Sequence, residues 1–152
     1  MTNLLIRAAR AEDLDALVAL FADDPLGGHG DSSEAELRPL YRAAFERCAA
    51  SPAEDIFVAE EDGVVVGTFH LSFTNTLTSR GAIKARIEAV QVRADRRGRR
   101  FGEAMVKRAM ELAREAGAES LSLTSNARRL DAHRFYERLG FSKTHAGFKI
   151  SL

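Results

Sequence analysis

Apolar residues recur at helical spacing in several segments of the chain, and short apolar runs separate these segments. In residues 13–22 the apolar side chains follow one another every three or four positions, which predicts an amphipathic helix. A serine before such a segment is a preferred N-cap, and a glycine after it is a preferred C-cap. The predicted helices are residues 13–22, a segment from an N-cap at Ser32 or Ser33 towards Cys48, residues 98–116 and residues 128–139.

The short apolar runs predict strands, and turn residues separate them. The predicted strands are residues 4–8, 56–60, 64–74, 83–92, 119–124 and 141–150. Glu61-Asp62-Gly63 predicts a tight hairpin turn, because glycine readily adopts positive φ. A hairpin excludes a wholly parallel sheet. The element order therefore predicts an α/β fold with a mixed, mostly antiparallel central sheet flanked by helices on both faces.

Composition and charge narrow the class of protein. The chain has 152 residues, of which 45% are hydrophobic and 29% charged, as expected for one globular domain over residues 1–152. The 22 basic and 22 acidic residues give a formal net charge of zero, which disfavours nucleic-acid and membrane-surface partners. The single cysteine, Cys48, cannot form an intramolecular disulfide, and no long apolar run is present. We therefore expect a cytoplasmic protein.

The histidines do not suggest a metal site. They are His29, His70, His133 and His145. None of them shows the spacing of zinc ligands, and the sequence has no cysteine pair. The sequence therefore predicts that the chain holds no metal ion.

Residues 90–102 combine a strand, a basic turn and the start of a helix. Gly98 and Gly102 lie in a stretch that contains five arginines. The first turn of a helix has unpaired N–H groups and a partial positive charge, glycines allow close approach, and arginines bind phosphate oxygens. This arrangement predicts a pyrophosphate site. The spacing differs from the dinucleotide fingerprint and from the P-loop, and a solvated basic turn remains the alternative.

Two stretches resemble motifs of the GNAT superfamily of acetyltransferases. Arg97-Gly98-Arg99-Arg100-Phe101-Gly102 is similar to the family motif Arg/Gln-x-x-Gly-x-Gly/Ala, with Arg100 at the position of the middle glycine. Ala132-His133-Arg134-Phe135-Tyr136-Glu137-Arg138-Leu139-Gly140-Phe141 resembles the block A-x-x-F-Y-E-x-x-G-F. The C-terminal stretch further resembles a branch that includes aminoalkylphosphonate N-acetyltransferases. This resemblance implies N-acetyl transfer from acetyl-CoA to a primary amine of a small molecule.

The resemblance also implies where the acyl donor binds. The strand around Val90 and Val92 is expected to pair its backbone with the pantetheine arm, where it splays from the strand that carries Leu121. Backbone donors there are expected to polarise the thioester oxygen. Arg100 in place of the glycine changes one close backbone contact and adds a cation. The implied cofactor-binding residues are Val90, Gln91, Val92, Arg97, Gly98, Arg99, Arg100, Phe101, Gly102 and Asn126.

Two side chains are candidates for the catalytic proton transfers. The phenol of Tyr136 is suited to protonate the departing thiolate, although a core aromatic residue is the alternative. Strict alternation along the strand places Glu88 on the face of Val90 and Val92. The Glu88 carboxylate is therefore a candidate for the base that removes the amine proton, with a structural or substrate-orienting role as the alternative.

The acceptor amine and the partners are less defined. The loop residues His29, Asp31 and Glu34 are candidate substrate-binding residues, because the N-terminal region shapes the acceptor site in the superfamily that the chain resembles. A homodimer is a further expectation from that family. The alternative functions are a protein or peptide N-terminal acetyltransferase and a non-catalytic acyl-CoA-binding regulatory module. The formal net charge of zero and the absence of interleaved aromatic residues disfavour a nucleic-acid binder that uses the arginine-rich turn.

Overall fold

A computed structural model describes residues 3–24 and 29–152. The chain divides into two compact units, Met1–Ser122 and Leu123–Leu152. Residues 25–28, which belong to the loop before Asp31, lie outside the described residues. The single-domain organisation over the whole chain stays a prediction.

The first unit contains a five-stranded sheet in the order β1-β2-β3-β4-β5. The strands are β1 Leu4–Ala8, β2 Glu54–Glu61, β3 Val64–Asn75, β4 Ile83–Val92 and β5 Ala118–Ser122. The first three pairings are antiparallel and the pairing of β4 with β5 is parallel. Asp62 and Gly63, with φ of 50° and 83°, form the turn between β2 and β3, as predicted. The predicted mixed, mostly antiparallel sheet is confirmed.

The helices agree with the predicted segments, but each of the predicted helices begins later than expected, and the delay is three residues or more for α2 and α4. They are α1 Leu14–Ala22, α2 Arg38–Ala50, the single turn α3 Thr78–Gly81, α4 Phe101–Glu115 and α5 Leu130–Arg138. A 3-10 turn at Ala35–Leu37 precedes α2. Gly98 and Arg100 have φ of 78° and 63°, and this left-handed backbone delays α4 until Phe101.

Helices cover both faces of the sheet. On one face, the Cβ that an alanine would add at Gly67 would lie 2.8 Å from Sδ of Met105, so α4 packs closely against β3 there. On the other face, Cys48 of α2 lies beside His70 of β3. Gly67 and His70 are three residues apart on one strand, so their side chains point to opposite faces. The flanking helices on both faces confirm the predicted architecture.

A β-bulge interrupts β4. Thr68 lies opposite Gln91, and His70 lies opposite Glu88, so that one residue of β3 faces two of β4. Ala89, one of these two residues, has a φ of 52°. A bulge adds one residue to one strand and thereby breaks the alternation of its side chains. This irregularity decides which face of the sheet each candidate site residue occupies.

The second unit contains α5 and the C-terminal segment. Gly140 follows α5 with a φ of 99°, as expected for the residue that ends a helix. The predicted last strand over residues 141–150 is wrong, because these residues are described and are not in a strand. Phe148 and Ile150 are almost fully exposed, which shows that the apolar residues there are not buried against a sheet. Among residues 3–24 and 29–152, no helix combines the length and the hydropathy needed to cross a membrane.

Candidate active site

Strand β5 pairs with only the first part of β4. Their pairing runs from Ile83 and Ala118 to Arg86 and Ser122, whereas β4 continues to Val92. The N–H of Arg93 donates to the Val66 carbonyl at 2.8 Å, on the β3 side. Because successive N–H groups of a strand point to opposite edges, the N–H of Val92 points to the β5 side. The distal half of β4 therefore presents backbone donors along an edge that β5 does not cover.

The turn between β4 and α4 presents the N-terminus of a long helix. Among the described residues, no side chain caps the N-terminus of α4, whose N-cap is Arg100. The N–H groups of the first helical residues, including Phe101 and Gly102, have no acceptor within the helix and carry a partial positive charge. Gly98 has open space around its Cα, because a Cβ built there would meet no atom within 4 Å. This geometry leaves room for a phosphate at the backbone.

Glu61 holds two arginines of this turn. Its Oε2 accepts from Arg96 Nε at 2.6 Å, and its Oε1 lies 2.7 Å from Arg99 Nη2. The hydrogen bond from Arg96 is the main reason that the pKa of Glu61 lies below its ordinary value; desolvation opposes this, and Arg99 reinforces it. Glu61 is only 8% exposed. Sequence reasoning missed Glu61, because it lies at the end of β2, 38 residues before Arg99.

The predicted phosphate-binding arginines have different environments. Arg97 donates to the carbonyl of Val92 at 3.2 Å, which links the turn to the end of β4. The guanidinium of Arg99 also lies 4.9 Å from the centre of the Phe101 ring. The side chain of Arg100 is 87% exposed, and its nearest charged partner is Glu103 at 3.8 Å. Of these three arginines, Arg100 is therefore the most available to a ligand.

The side chain of Gln91 is directed to the end of α1. Its Nε2 donates to Oδ2 of Asp24 at 2.8 Å. This bond joins β4 to the segment that follows α1, and only the folded chain brings the two together. The side chain of Gln91 is thus engaged within the protein, and its backbone N–H points to the β3 side, like that of Arg93.

The bulge corrects the predicted position of Glu88. Glu88 pairs with His70, and Gln91 pairs with Thr68, two residues away on the same face of β3. Val92 pairs with Gly67, on the opposite face. The expectation that Glu88 shares a face with Val90 and Val92 is therefore wrong, because the extra residue at the bulge reverses the alternation. Glu88 instead lies on the face where Cys48 of α2 is beside His70 and where Gln91 contacts Asp24 after α1, which we call the α1–α2 face. Its side chain is 47% exposed.

Beside Glu88 lies a group of three titratable side chains that the sequence analysis did not connect. Cys48, Glu54 and His70 offer ligand atoms that all lie within 4.8 Å of one another. Burial raises the pKa of the Cys48 thiol, and the negative charges of Glu54 and Glu88 act in the same direction. No spacing rule could have found this group, since its members come from α2, β2 and β3.

The second unit carries the predicted general acid. The ring of Tyr136 makes edge contacts with Phe135 and Phe141, with centroid distances of 5.1 Å and 5.7 Å. Burial raises the pKa of Tyr136, against the opposing effect of the positive charge of Arg129. The phenol therefore stays protonated at neutral pH. Aromatic packing thus holds the ring of Tyr136, and its hydroxyl keeps the proton that a general acid must donate.

Asn126, the predicted pantetheine contact, is partly engaged within its own loop. Its Oδ1 accepts from the N–H of Arg128 at 2.9 Å, and its carbonyl lies 3.0 Å from Nε2 of His133. These contacts order the segment before α5. The amide nitrogen is the part of the side chain that remains suited to donate to a ligand.

The predicted acceptor-site residues lie before α2. The hydroxyl of Tyr41 donates to Oδ1 of Asp31 at 2.8 Å and accepts from the N–H of Ser32 at 3.1 Å. This anchors the described end of the loop to α2. His29 and Glu34 are exposed. Asp31 therefore has a structural partner in Tyr41, and the role of the three residues in binding the acceptor stays a prediction.

Comparison with known proteins identifies the family. Residues 7–141 match the model described as Acetyltransferase (GNAT) family. The chain is 31% identical to the aminoalkylphosphonate N-acetyltransferase of Salmonella typhimurium, over 97% of this chain and 90% of the relative.

Solved structures agree in fold. A transcriptional regulator from Bacillus halodurans is 35% identical, with a TM-score of 0.94 and coverage of 99% of this chain and 100% of that chain. The glucosamine-6-phosphate N-acetyltransferase of Arabidopsis thaliana has a TM-score of 0.82 at 20% identity, with 98% of each chain covered, and this likeness concerns the fold alone. The family match spans most of the chain, including the arginine-rich turn before α4. The chain therefore belongs to the GNAT acetyltransferase family and is an acetyl-CoA-dependent acetyltransferase.

Proposed function

We propose that this chain transfers the acetyl group of acetyl-CoA directly to the primary amine of a small molecule, with both substrates bound at once. The observation that carries the proposal is the edge of β4 that β5 leaves uncovered, which leads into the uncapped N-terminus of α4. The edge suits the amide groups of a pantetheine arm, and the helix N-terminus suits a pyrophosphate. Holding both reactants in one place removes much of the entropic cost of the reaction.

The residues proposed for the acyl donor divide into backbone and side-chain contacts. Val90 and Val92 offer backbone groups along the uncovered edge of β4, and Gln91 between them holds β4 through its bond to Asp24. Gly98, Arg99, Phe101 and Gly102 offer N–H groups to the pyrophosphate, and Asn126 offers its amide nitrogen to pantetheine. Arg97 shapes the turn through Val92. Arg100 supplies an exposed cation for a phosphate.

The proposed chemistry needs one acid and one base. Glu88 accepts the proton of the ammonium group, directly or through a water molecule, and the free amine attacks the thioester carbonyl. The oxyanion that forms is stabilised by backbone N–H groups of the bulged region of β4. When the tetrahedral intermediate collapses, the C–S bond breaks and Tyr136 protonates the leaving thiolate of CoA. The raised pKa of Tyr136 supports this role, because the phenol carries its proton at neutral pH.

The acceptor is proposed to be a small amine that enters over the α1–α2 face of the sheet, where Glu88 lies. His29, Asp31 and Glu34 are proposed to line its entrance, with Asp31 anchored through Tyr41. The similarity to the Salmonella aminoalkylphosphonate N-acetyltransferase supports an amine that also carries a phosphonate group. A homodimer remains a prediction from the family.

A non-catalytic acyl-CoA-binding module is the second candidate function. The Bacillus halodurans protein with a TM-score of 0.94 is described as a transcriptional regulator, which favours this alternative. Such a module would bind acetyl-CoA through the same turn and strand edge. It would have no use for an acid and a base.

One assay separates these functions. The protein is mixed with acetyl-CoA and an aminoalkylphosphonate, the matching alkylamine without phosphonate, or a peptide with a free N-terminus, and release of the CoA thiol is followed. Saturable turnover with either small amine is expected. Turnover with the peptide alone would support an N-terminal acetyltransferase, whereas acetyl-CoA binding without turnover on any acceptor would support the regulatory module.

A further inference from the structure

Three side chains on the α1–α2 face of the sheet bring a thiol, a carboxylate and an imidazole close together. Cys48 projects from α2, Glu54 from the start of β2 and His70 from the middle of β3. Their sulfur, carboxylate oxygen and imidazole nitrogen lie within 4.8 Å of one another. Glu54 pairs with Ser72 and Ile56 pairs with His70, so Glu54 and His70 are diagonal neighbours on one face.

The imidazole of His70 lacks the partner that its burial demands. Its Nε2 is buried and has no hydrogen bond among the residues that the structure describes. The nearest Glu54 oxygen is 3.4 Å away, too poorly aligned to satisfy the nitrogen. A buried polar atom without a partner is costly, and a metal ion would satisfy a neutral imidazole nitrogen directly.

We propose that Cys48, Glu54 and His70 bind one divalent transition metal ion of the zinc and cobalt class. Thiolate, imidazole and carboxylate are the donors that such borderline metals accept, and hard cations such as Mg²⁺ disfavour sulfur. The thiolate and the carboxylate together supply two negative charges for a divalent ion. Three protein ligands leave a position of a tetrahedral ion open to water or to another ligand.

The separations need only a small closure. Ligand atoms at zinc distances in a tetrahedral site are about 3.3 to 3.8 Å apart, so the widest separation must close by about 1 Å. The Glu54 side chain is 30% exposed, and the Cys48 side chain has one rotatable bond before its sulfur, so rotation of these two side chains can supply the movement. The hydrogen bonds of the sheet fix the backbone positions of His70 and Glu54. The inference does not rest on acetyl transfer.

The test uses Co²⁺ alone, because its spectrum reports on the ligands. Protein that has been reduced and freed of metal by a chelator is titrated with Co²⁺ in the absence of acetyl-CoA. We expect one ion per chain, d–d bands of tetrahedral intensity and a thiolate-to-cobalt charge-transfer band. Added Zn²⁺ should displace Co²⁺ and remove these bands, because Zn²⁺ binds such sites more tightly. Absence of saturable binding at millimolar Co²⁺ would overturn the proposal.

Variants assign the ligands. Cys48→Ser should abolish the charge-transfer band, and His70→Gln and Glu54→Gln should each weaken Co²⁺ binding at least about tenfold. His145→Gln, at an exposed histidine in the second unit, should leave binding unchanged. Circular dichroism and a cooperative thermal transition establish that each variant folds. Equal binding by wild type, Cys48→Ser and His70→Gln would show that the ion lies elsewhere and would refute the site.

A second readout uses the fact that Cys48 is the only thiol in the chain. Zn²⁺ should slow the reaction of this thiol with a disulfide reagent in wild type and in His145→Gln. In His70→Gln the same concentration of Zn²⁺ should give little protection. Protection that is identical in His70→Gln would contradict the participation of the histidine, whatever the outcome of the acetyl-transfer assay.

Discussion

Glu61 and Arg99 form an ion pair in which Oε1 of the carboxylate lies 2.7 Å from Nη2 of the guanidinium. The same carboxylate accepts from Arg96 at 2.6 Å. The end of β2 is thereby tied to the turn that precedes α4. Arg93 also pairs with Asp95, and Arg97 donates to the Val92 carbonyl. Four of the five arginines in that turn are thus held by the protein itself, which leaves the helix N-terminus and Arg100 to a ligand.

Replacing Glu61 by glutamine should destabilise the protein in a pH-dependent manner. The pKa of Glu61 is lowered in the folded protein, so its stabilising effect is complete above the unfolded-state pKa of about 4.3. The effect is lost as the pH falls through the lower folded-state pKa. At pH 7 we expect Glu61→Gln to lower the Tm by about 3 °C or more.

The check is thermal unfolding of both proteins from pH 7 to pH 3. The Tm difference should shrink at the acidic end, because wild-type Glu61 is then protonated as well. Glu119→Gln, at an exposed carboxylate on β5, serves as the control and should change the Tm little at any pH. A Tm difference for Glu61→Gln that grows with acidity would contradict the lowered pKa.

Arg100→Gly should separate the backbone strain of this residue from the charge of its side chain. Arg100 has a φ of 63° and a ψ of 18°, a region that glycine adopts without the steric cost of a Cβ. We expect the free energy of unfolding to rise by up to about 1 kcal/mol. We also expect a KM for acetyl-CoA several-fold higher, because an exposed cation near the phosphates is lost.

Arg100→Ala is the matched variant. It removes the same guanidinium but keeps the Cβ, so it should raise the KM equally and gain no stability. Urea unfolding and steady-state kinetics at two salt concentrations measure both effects. If the alanine variant were the more stable of the two, the strain argument would fail.

Gly67→Ala should destabilise the contact between the sheet and α4. The added Cβ would lie 2.8 Å from Sδ of Met105 and 3.1 Å from the carbonyl oxygen of Gln91. Met105 is fully buried, and the Gln91 carbonyl belongs to β4, so neither atom can yield freely. We expect a loss of about 1–3 kcal/mol in the free energy of unfolding, measured in urea. Gly147→Ala, where the nearest atom is 3.9 Å away, should be close to neutral.

Tyr136→Phe should lower kcat by about 100-fold or more, because the phenol is the proposed acid for the leaving thiolate. The phenylalanine keeps the edge contacts with Phe135 and Phe141, so the Tm and the KM for acetyl-CoA should change little. The chain has only one other tyrosine, and Tyr41→Phe removes the hydroxyl that binds Asp31. That variant should alter the KM for the amine and largely retain kcat. An unchanged kcat in Tyr136→Phe would remove this residue from the mechanism.

Glu88→Gln should depress activity most at low pH. Amines are then almost fully protonated, and a base that removes their proton matters most there. We expect a loss of about 100-fold at pH 6 that diminishes as the pH rises, measured as kcat/KM for the amine. Glu119→Gln provides a strand carboxylate at the paired end of β5 for comparison. A parallel shift of the whole profile, with no change of shape, would assign Glu88 an orienting role instead.

Local patterns were sufficient for most of the secondary structure. The hairpin turn at Asp62-Gly63 and the strand β4 were predicted within a residue, because turn chemistry and apolar alternation are properties of neighbouring residues. The start of α4 was predicted three residues too early. There the glycine at position 98 and the left-handed Arg100 extend the turn, and an arginine gives no sequence signal for positive φ.

The predicted last strand failed for a related reason. Residues 141–150 have apolar positions suited to a strand, but a strand exists only where another strand supplies its hydrogen bonds. Phe148 is 96% exposed, so burial of apolar side chains does not replace the missing hydrogen bonds of a strand. Local preference could not reveal whether a partner was present.

By itself, the sequence determined the mixed sheet, the basic turn before α4 and, through two motifs, the acetyltransferase family. Each of these depends on residues that are close together along the chain. Only the tertiary structure decided that Glu88 faces His70, that Glu61 binds two arginines and that Cys48, Glu54 and His70 meet. Such contacts arise from strand register and helix packing between distant segments, and the single residue added by the bulge at Ala89 is enough to change the face on which a side chain lies.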